Sequence, residues 1–217
     1  MKRLALTGIA TLALALGAFA QTFILDNSSA NNGVADLTAG NYYGTTASPQ
    51  PYGLELYQLN PLPTGSALTT LLSSINGAST GSAGLAAMTA AGFVLENTWT
   101  AQMMANGYIT GLQGSTYTMA GVPVGANVVL GLAVWNTSGA LTTATHLGVI
   151  AFPQETVSIT SSPPGLPFDI SGNLQPAGFG WNSVGQDLVM TTLVPEPGTL
   201  ALAGLGVAAL LIFRRRK

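Results

Sequence analysis

The feature that most constrains the fold is a series of short β-prone segments separated by turns rich in glycine, proline and asparagine. The strongest segment is Asn127–Trp135, in which apolar residues follow one another almost without interruption. Many short strands at close spacing are typical of antiparallel sandwiches. Strands do not alternate with helices, as they would in a parallel α/β fold. We therefore expect an all-β fold, an antiparallel β-sandwich of jelly-roll type.

Further strands are predicted on both sides of this segment. One region differs in kind, because residues 66–92 are rich in alanine, leucine, serine and glycine, with Leu68, Leu71, Leu72 and Ile75 at helical spacing. This spacing predicts a short helical insertion, with a compact loop as the alternative. The remaining strands are expected at residues 22–25, 52–59, 93–95, 98–100, 108–110, 115–119, 146–152, 155–160 and 187–194.

The first twenty residues have the pattern of a secretory signal peptide. Lys2 and Arg3 precede an apolar stretch, and Ala18 and Ala20 form a small-residue cleavage site. We expect signal peptidase to cut after Ala20 and the protein to be exported. The sequence then divides into a signal peptide at 1–20, a body at 21–193 and a C-terminal tail at 194–217.

The C-terminal tail ends in an apolar run followed by four cations. The run covers residues 200–213, and as a helix it would be about 21 Å long, shorter than the ~30 Å hydrocarbon core of a bilayer. We predict a transmembrane helix that anchors only weakly. The cations favour the cytoplasmic side, which leaves the body outside; they are Arg214, Arg215, Arg216 and Lys217.

The body carries acidic residues and no basic ones. Between Gln21 and Leu193 there are seven Asp and Glu and no Lys or Arg, so its formal charge is 0 − 7 = −7 with His146 neutral. Without Lys or Arg, the body is a very poor partner for nucleic acid. Phosphorylated or anionic small substrates are disfavoured for the same reason, because nothing cationic is present to bind them.

The tail contains a short motif, Val194-Pro195-Glu196-Pro197, directly before the apolar run. Motif, apolar run and basic end together resemble the PEP-CTERM sorting signal of Gram-negative bacteria. The resemblance implies processing by an exosortase after transient retention in the inner membrane. It also implies a cell-surface or extracellular destination, in association with exopolysaccharide or biofilm matrix. It covers residues 194–217 only and does not bear on what the body does.

Few residues in the body suggest catalysis. The chain has no cysteine and a single histidine, which excludes thiolate chemistry and zinc sites with several histidines. We interpret His146, at the start of a predicted strand, as structural. We predict no catalytic residues, no cofactor and no metal. An open alternative is structural Ca²⁺ on an oxygen-rich loop, whose ligands would be Asp26, Asn31, Asn32 and Asp36.

Three functions remain after these exclusions. The first is a non-enzymatic surface or matrix protein. The second is a carbohydrate-binding module, in which Trp181 would stack on sugar rings, because it lies in the glycine-containing segment 178–183 and is expected to be exposed. The third is an extracellular polysaccharide hydrolase that uses a pair of the seven carboxylates.

Overall fold

A computed structural model of the chain describes residues 21–193 apart from 26, 28–31, 39, 110–111, 113–115, 120–121, 123–125, 156–167, 172–174 and 176. The described residues form ten strands and two α-helices. The strands are β1 (Gln21–Ile24), β2 (Val34–Asp36), β3 (Gln50–Leu59), β4 (Val94–Ala105), β5 (Tyr108–Ile109), β6 (Thr116–Met119), β7 (Asn127–Trp135), β8 (His146–Glu155), β9 (Phe168–Asp169) and β10 (Leu188–Thr192). The helices are α1 (Ser66–Asn76) and α2 (Gly81–Ala90).

Strand β7 lies at the centre of the molecule, with the bounds that the sequence predicts. It pairs with β3 on one side and with β8 on the other, and every residue after Asn127 is buried. A strand covered on both faces needs a continuous apolar run rather than an alternating one, which explains its composition.

The strands form two sheets. The prediction of a mainly β fold is confirmed, but the predicted purely antiparallel, jelly-roll-like arrangement is wrong. A seven-stranded sheet has the order β2-β10-β8-β7-β3-β4-β5, and a three-stranded sheet has the order β6-β1-β9. The β2–β10 and β1–β9 pairs are parallel, so both sheets are mixed. Each parallel pair joins strands that are far apart along the chain, and hydrophobic patterning within a strand does not specify such pairings.

One face of the large sheet carries the main hydrophobic core. Alternate residues of β7 (Val128, Leu130, Leu132 and Val134) enter this core together with β3, β8 and β10 side chains. Residues in or directly after the small sheet also belong to it; they are Leu25, Met119 and Ile170. The small sheet therefore contributes to covering this face.

The two helices cover the opposite face, so the predicted helical insertion is confirmed. Ile75 of α1 and Met88 of α2 are buried against Val129 and Ala151 of the sheet. Small residues bring α2 close to β8, since a Cβ added at Gly84 would lie 3.2 Å from Val149 Cβ. The large sheet is therefore covered on both faces, by the helices on one and in part by the small sheet on the other, which departs from the expected sandwich.

Two further predictions place strand boundaries where the structure has none. The two segments expected at 93–95 and 98–100 are one continuous strand, β4, which pairs with β3 across two register shifts. The segment expected at 155–160 begins within β8, which ends at Glu155, and residues 156–160 lie outside the described residues.

Candidate functional site

The folded body extends to the residue at which the sorting tail begins. β10 ends at Thr192, and the backbone N–H of Leu193 donates to Thr145 O at 2.7 Å. Leu193 also packs against a small cluster of buried residues that contains Trp135 and Leu147. No flexible spacer therefore separates the last strand from Val194.

A side-chain network beside this exit closes the loop between β7 and β8. Asn136 Oδ1 accepts hydrogen bonds from the backbone N–H groups of Thr145 (3.0 Å) and His146 (2.9 Å). Asn136 Nδ2 donates to Thr145 Oγ1 and to His146 Nδ1, each at 2.8 Å. Because an amide nitrogen can only donate, His146 Nδ1 is the acceptor and the neutral ring carries its proton on Nε2. These bonds give His146 a role in loop geometry.

A groove of about 290 Å³ lies where β10 and β8 stop pairing, beneath the connection between the helices. Their pairing is limited to Thr191 with Leu147 and Thr192 with His146. Beyond that point, Asn76 at the end of α1 hydrogen-bonds the edge of β8 that β10 leaves unpaired. Its Nδ2 donates to Ala151 O and its Oδ1 accepts from Ala151 N, both at 2.8 Å. The Asn76 amide thus substitutes for a neighbouring strand.

Several other polar groups of the groove are also bonded within the protein. Gly81 N donates to Thr191 Oγ1 at 2.8 Å, and Gln186 Nε2 donates to Asn76 O at 3.1 Å. Asp187 accepts from Gly33 N at 3.0 Å and from Gly40 N at 2.8 Å. These bonds join the helices, the large sheet and the residues on both sides of β2 across the groove.

Glu55 and Glu96 lie on opposite faces of the large sheet. Glu55 accepts from Tyr57 OH at 2.6 Å, and Tyr57 packs in the cluster beneath the helices. The Glu96 carboxylate accepts from Gln58 Nε2 at 2.5 Å. Tyr117, which packs against the main core, donates its OH to the backbone O of Glu96 at 3.1 Å, with the carboxylate 3.5 Å away. Glycoside hydrolysis needs two carboxylates that flank one bond. The sheet separates these two, so they do not form such a pair.

The tyrosines bonded to these carboxylates are held neutral. Burial, followed by the hydrogen bond and the charge of Glu55, raises the pKa of Tyr57 far above its usual value of 10. Burial and the neighbouring Glu96 likewise raise the pKa of Tyr117. Both hydroxyls therefore act as hydrogen-bond donors: Tyr57 fixes the Glu55 carboxylate, and Tyr117 bonds the backbone O of Glu96.

Among the described residues, no three His, Cys, Asp or Glu side chains lie close enough together to hold a metal ion. Of the four residues considered for Ca²⁺, Asp26 and Asn31 lie outside the described part of the chain. The Ca²⁺ hypothesis therefore stays a prediction.

Trp181 is buried, so the prediction that it is exposed and free to stack on sugars is wrong. Its side chain has 0% exposure and stacks on Phe152 with ring centroids 6.1 Å apart. Its Nε1 donates to Gln186 O at 3.0 Å. Gly180 takes φ +76° just before it, and Trp181 N donates to Ile170 O, which turns the side chain inward. A glycine-containing loop is compatible with either direction, but the size of the indole favours the core.

The other two tryptophans are packed as well. Trp135 has 0% exposure and its Nε1 donates to Gly139 O at 2.9 Å. Trp99 is partly buried against the core, edge-to-face with Tyr117 at 5.5 Å between centroids. All three tryptophans thus take part in packing; Trp135 and Trp181 are fully buried, and Trp99 remains partly exposed.

The remaining predicted site residues lie outside the described residues. They are Ala18 and Ala20 of the signal cleavage site, Val194, Pro195, Glu196 and Pro197 of the motif, and Arg214, Arg215, Arg216 and Lys217 of the basic end. The apolar run at 200–213 lies outside them too. Within the described part, neither helix has the length and apolar character needed to cross a bilayer.

Comparison with known proteins identifies the tail. Residues 193–217 match the family model of the PEP-CTERM protein-sorting motif, which confirms the resemblance drawn from the sequence. The match begins at Leu193, the residue whose N–H is bonded to Thr145. No curated protein and no solved structure matches the chain significantly.

Proposed function

Because the chain carries a PEP-CTERM sorting motif, we propose that the protein is an exported, non-enzymatic protein of the cell surface or exopolysaccharide matrix. Signal peptidase removes residues 1–20, and the tail holds the body at the inner membrane until an exosortase cuts near Pro195–Pro197. The observation that carries this proposal is the match over residues 193–217.

The composition of the tail suits an anchor that is later released. Pro195 and Pro197 disfavour a helix and keep the backbone extended, which is the form that proteases bind. The following apolar run of 14 residues would span about 21 Å as a helix, so it holds the membrane weakly. The four terminal cations set its orientation.

The body supports a role without catalysis. The carboxylates of Glu55, Glu96 and Asp187 are each engaged in hydrogen bonds that fix the fold. Cutting the tail removes the last cations and releases a body with a formal charge of −7. Repulsion keeps such a body apart from other anionic molecules and in solution. Contacts with exopolysaccharide would then depend on its neutral hydroxyl and amide groups.

Mass spectrometry of the mature protein tests the sorting step. In cells with an active exosortase, we expect the protein to begin at Gln21 and to end within or shortly before the motif. The Glu196→Ala variant should keep its C-terminus at Lys217, whereas the control Glu155→Gln, in the body, should be cut normally. A wild-type protein that still ends at Lys217 in such cells would contradict the proposal.

The rival functions have separate tests. The carbohydrate-binding alternative rested on an exposed Trp181, and its burial withdraws that support. Incubating the purified body with exopolysaccharide should release no reducing ends. Turnover that disappears when a single carboxylate is replaced would establish a hydrolase and overturn the non-enzymatic assignment.

A further inference from the structure

Two loops lie beside the point where the tail leaves the body, at residues 45–49 and 136–145. They are tied to neighbouring elements by hydrogen bonds: Ala101 N donates to Ser138 O at 3.0 Å, and Asn106 Nδ2 donates to Thr46 Oγ1 at 2.8 Å. Tyr43, two residues before the first loop, donates its OH to Pro51 O at 3.0 Å and lies 3.4 Å from Asn136 O of the second loop. We name residues 45–49 and 136–145 the tail-exit face.

The tail-exit face contains no charged residue, and most of its side chains are small hydroxyl or methyl groups that are exposed to solvent. The described carboxylates of the large sheet all lie further along the strands. Asp36 is opposite Met190 and Glu55 is opposite Ala133, each two residues inside the strand end. Glu155 lies at the far end of β8, nine residues beyond His146.

The length of the tail limits how far this face can be from the membrane. Leu193 is fixed to the body through Thr145, and the apolar run begins at Leu200. Seven residue steps cover at most about 25 Å when fully extended. By contrast, nine residues of β8 place Glu155 about 30 Å further from the tail-exit face than His146.

We propose that the tail-exit face rests against the outer surface of the membrane while the tail is in place. This inference rests on the proposed membrane-held state. The neutral face lies next to the lipid headgroups, whereas Asp36 and Glu55 lie about 7 Å further from the lipid and Glu155 about 30 Å further, against a Debye length of about 8 Å. The tether keeps this face closer to the membrane than the rest of the body, and the body has no Lys or Arg that would draw another face to anionic lipid. Once the tail is cut, nothing retains the body at the surface.

Single-cysteine labelling tests the orientation, and the chain's lack of cysteine removes any background. A fluorophore is attached to Thr142→Cys, on the tail-exit face, or to Val94→Cys, which is 59% exposed near the opposite end. The uncut protein, residues 21–217, is reconstituted into vesicles of zwitterionic and anionic phospholipid with a headgroup-bound quencher. We expect several-fold stronger quenching at 142 than at 94.

Two further variants show whether the short tether holds the tail-exit face against the membrane or whether the face binds lipid by itself. A long Gly/Ser insertion between Leu193 and Val194 should abolish the difference between the probes, and a chain that ends at Leu193 should show no quenching at either. Equal quenching in the uncut protein, or quenching at 142 in the tail-less chain, overturns the inference. Quenching at 142 that requires an added exosortase assigns the face to the enzyme instead. If the uncut protein does not sediment with the vesicles, the anchoring step of the proposed function fails as well.

Discussion

Replacing Asn76 should uncouple the helix layer from the edge of β8. Asn76→Ala removes both bonds to Ala151 and leaves the N–H and C=O of that fully buried residue without a partner. Hydrogen bonds contribute about 1 kcal/mol each, and an unsatisfied buried group costs about 1–3 kcal/mol. We expect a loss of about 2–4 kcal/mol in the free energy of unfolding, which lowers Tm by roughly 5–15 °C in a chain of this size.

The Asn76→Asp variant makes the prediction specific. An ionised Asp at this position still accepts from Ala151 N, but its second oxygen faces Ala151 O and repels it. A protonated Asp can donate there, so its folded pKa should lie above the unfolded value of about 3.9. Its stability deficit relative to wild type should therefore be small near pH 4 and should grow as the pH rises through the folded pKa.

Thermal and urea unfolding of the purified body between pH 4 and 7 measures both effects. The deficit of Asn76→Ala should be the same at each pH, and Ser74→Ala, on the exposed side of the same helix, should change stability little. An Asn76→Ala variant as stable as wild type, or an Asn76→Asp deficit independent of pH, would refute the structural role of this side chain.

Three other substitutions test the packing and the electrostatics. Gly53→Ala would place a Cβ 2.1 Å from the rigid ring of Trp135, so it should lower the free energy of unfolding in urea by about 2–3 kcal/mol. In the Trp135→Leu background, Gly53→Ala should cost less. Purely additive effects of the two substitutions would contradict the clash. Trp181→Ala should lower the unfolding free energy by about 3–5 kcal/mol, and a variant of unchanged stability would show that the indole is not packed as described. Burial raises the pKa of Glu155, whose Oε2 has no hydrogen-bond partner among the described residues, so its ionised form opposes folding. Glu155→Gln should therefore raise Tm at pH 7, with a gain that shrinks as the pH falls towards the unfolded pKa of about 4.3 and is lost below it, and a gain equal at all pH values would disprove this cause.

Parts of the fold could be predicted because the signal is local. β7 is a continuous apolar run, and its bounds agree with the prediction. The leucines of residues 66–76 recur at helical spacing, and α1 forms there with Ile75 buried. α2 was harder to predict, because it is built from Gly, Ala and Ser around a single large buried side chain, Met88. Its position depends on Thr80, which accepts from Ala83 N, and on close contact with β8.

Other features depend on contacts that no local pattern contains. Trp181 turns inward because Phe152 and Ile170, distant in sequence, supply a surface and a hydrogen bond. The parallel β2–β10 pair joins residues more than 150 positions apart. Glu55 and Glu96 became separated by the sheet because β3 and β4 present them to opposite faces: Glu55 pairs regularly with Thr98, whereas Glu96 is the extra residue at the register shift after Leu56.

The sequence by itself determined that this chain carries a C-terminal sorting signal. A sorting motif is a continuous segment that another protein reads in extended form, so its proline, apolar and basic parts can be recognised without a fold. Only the tertiary structure decided the rest: which aromatic rings are buried, how the carboxylates are divided between faces, and that the last strand remains bonded up to Leu193. Those properties arise from long-range packing, in which residues far apart in the chain compete for the same buried space.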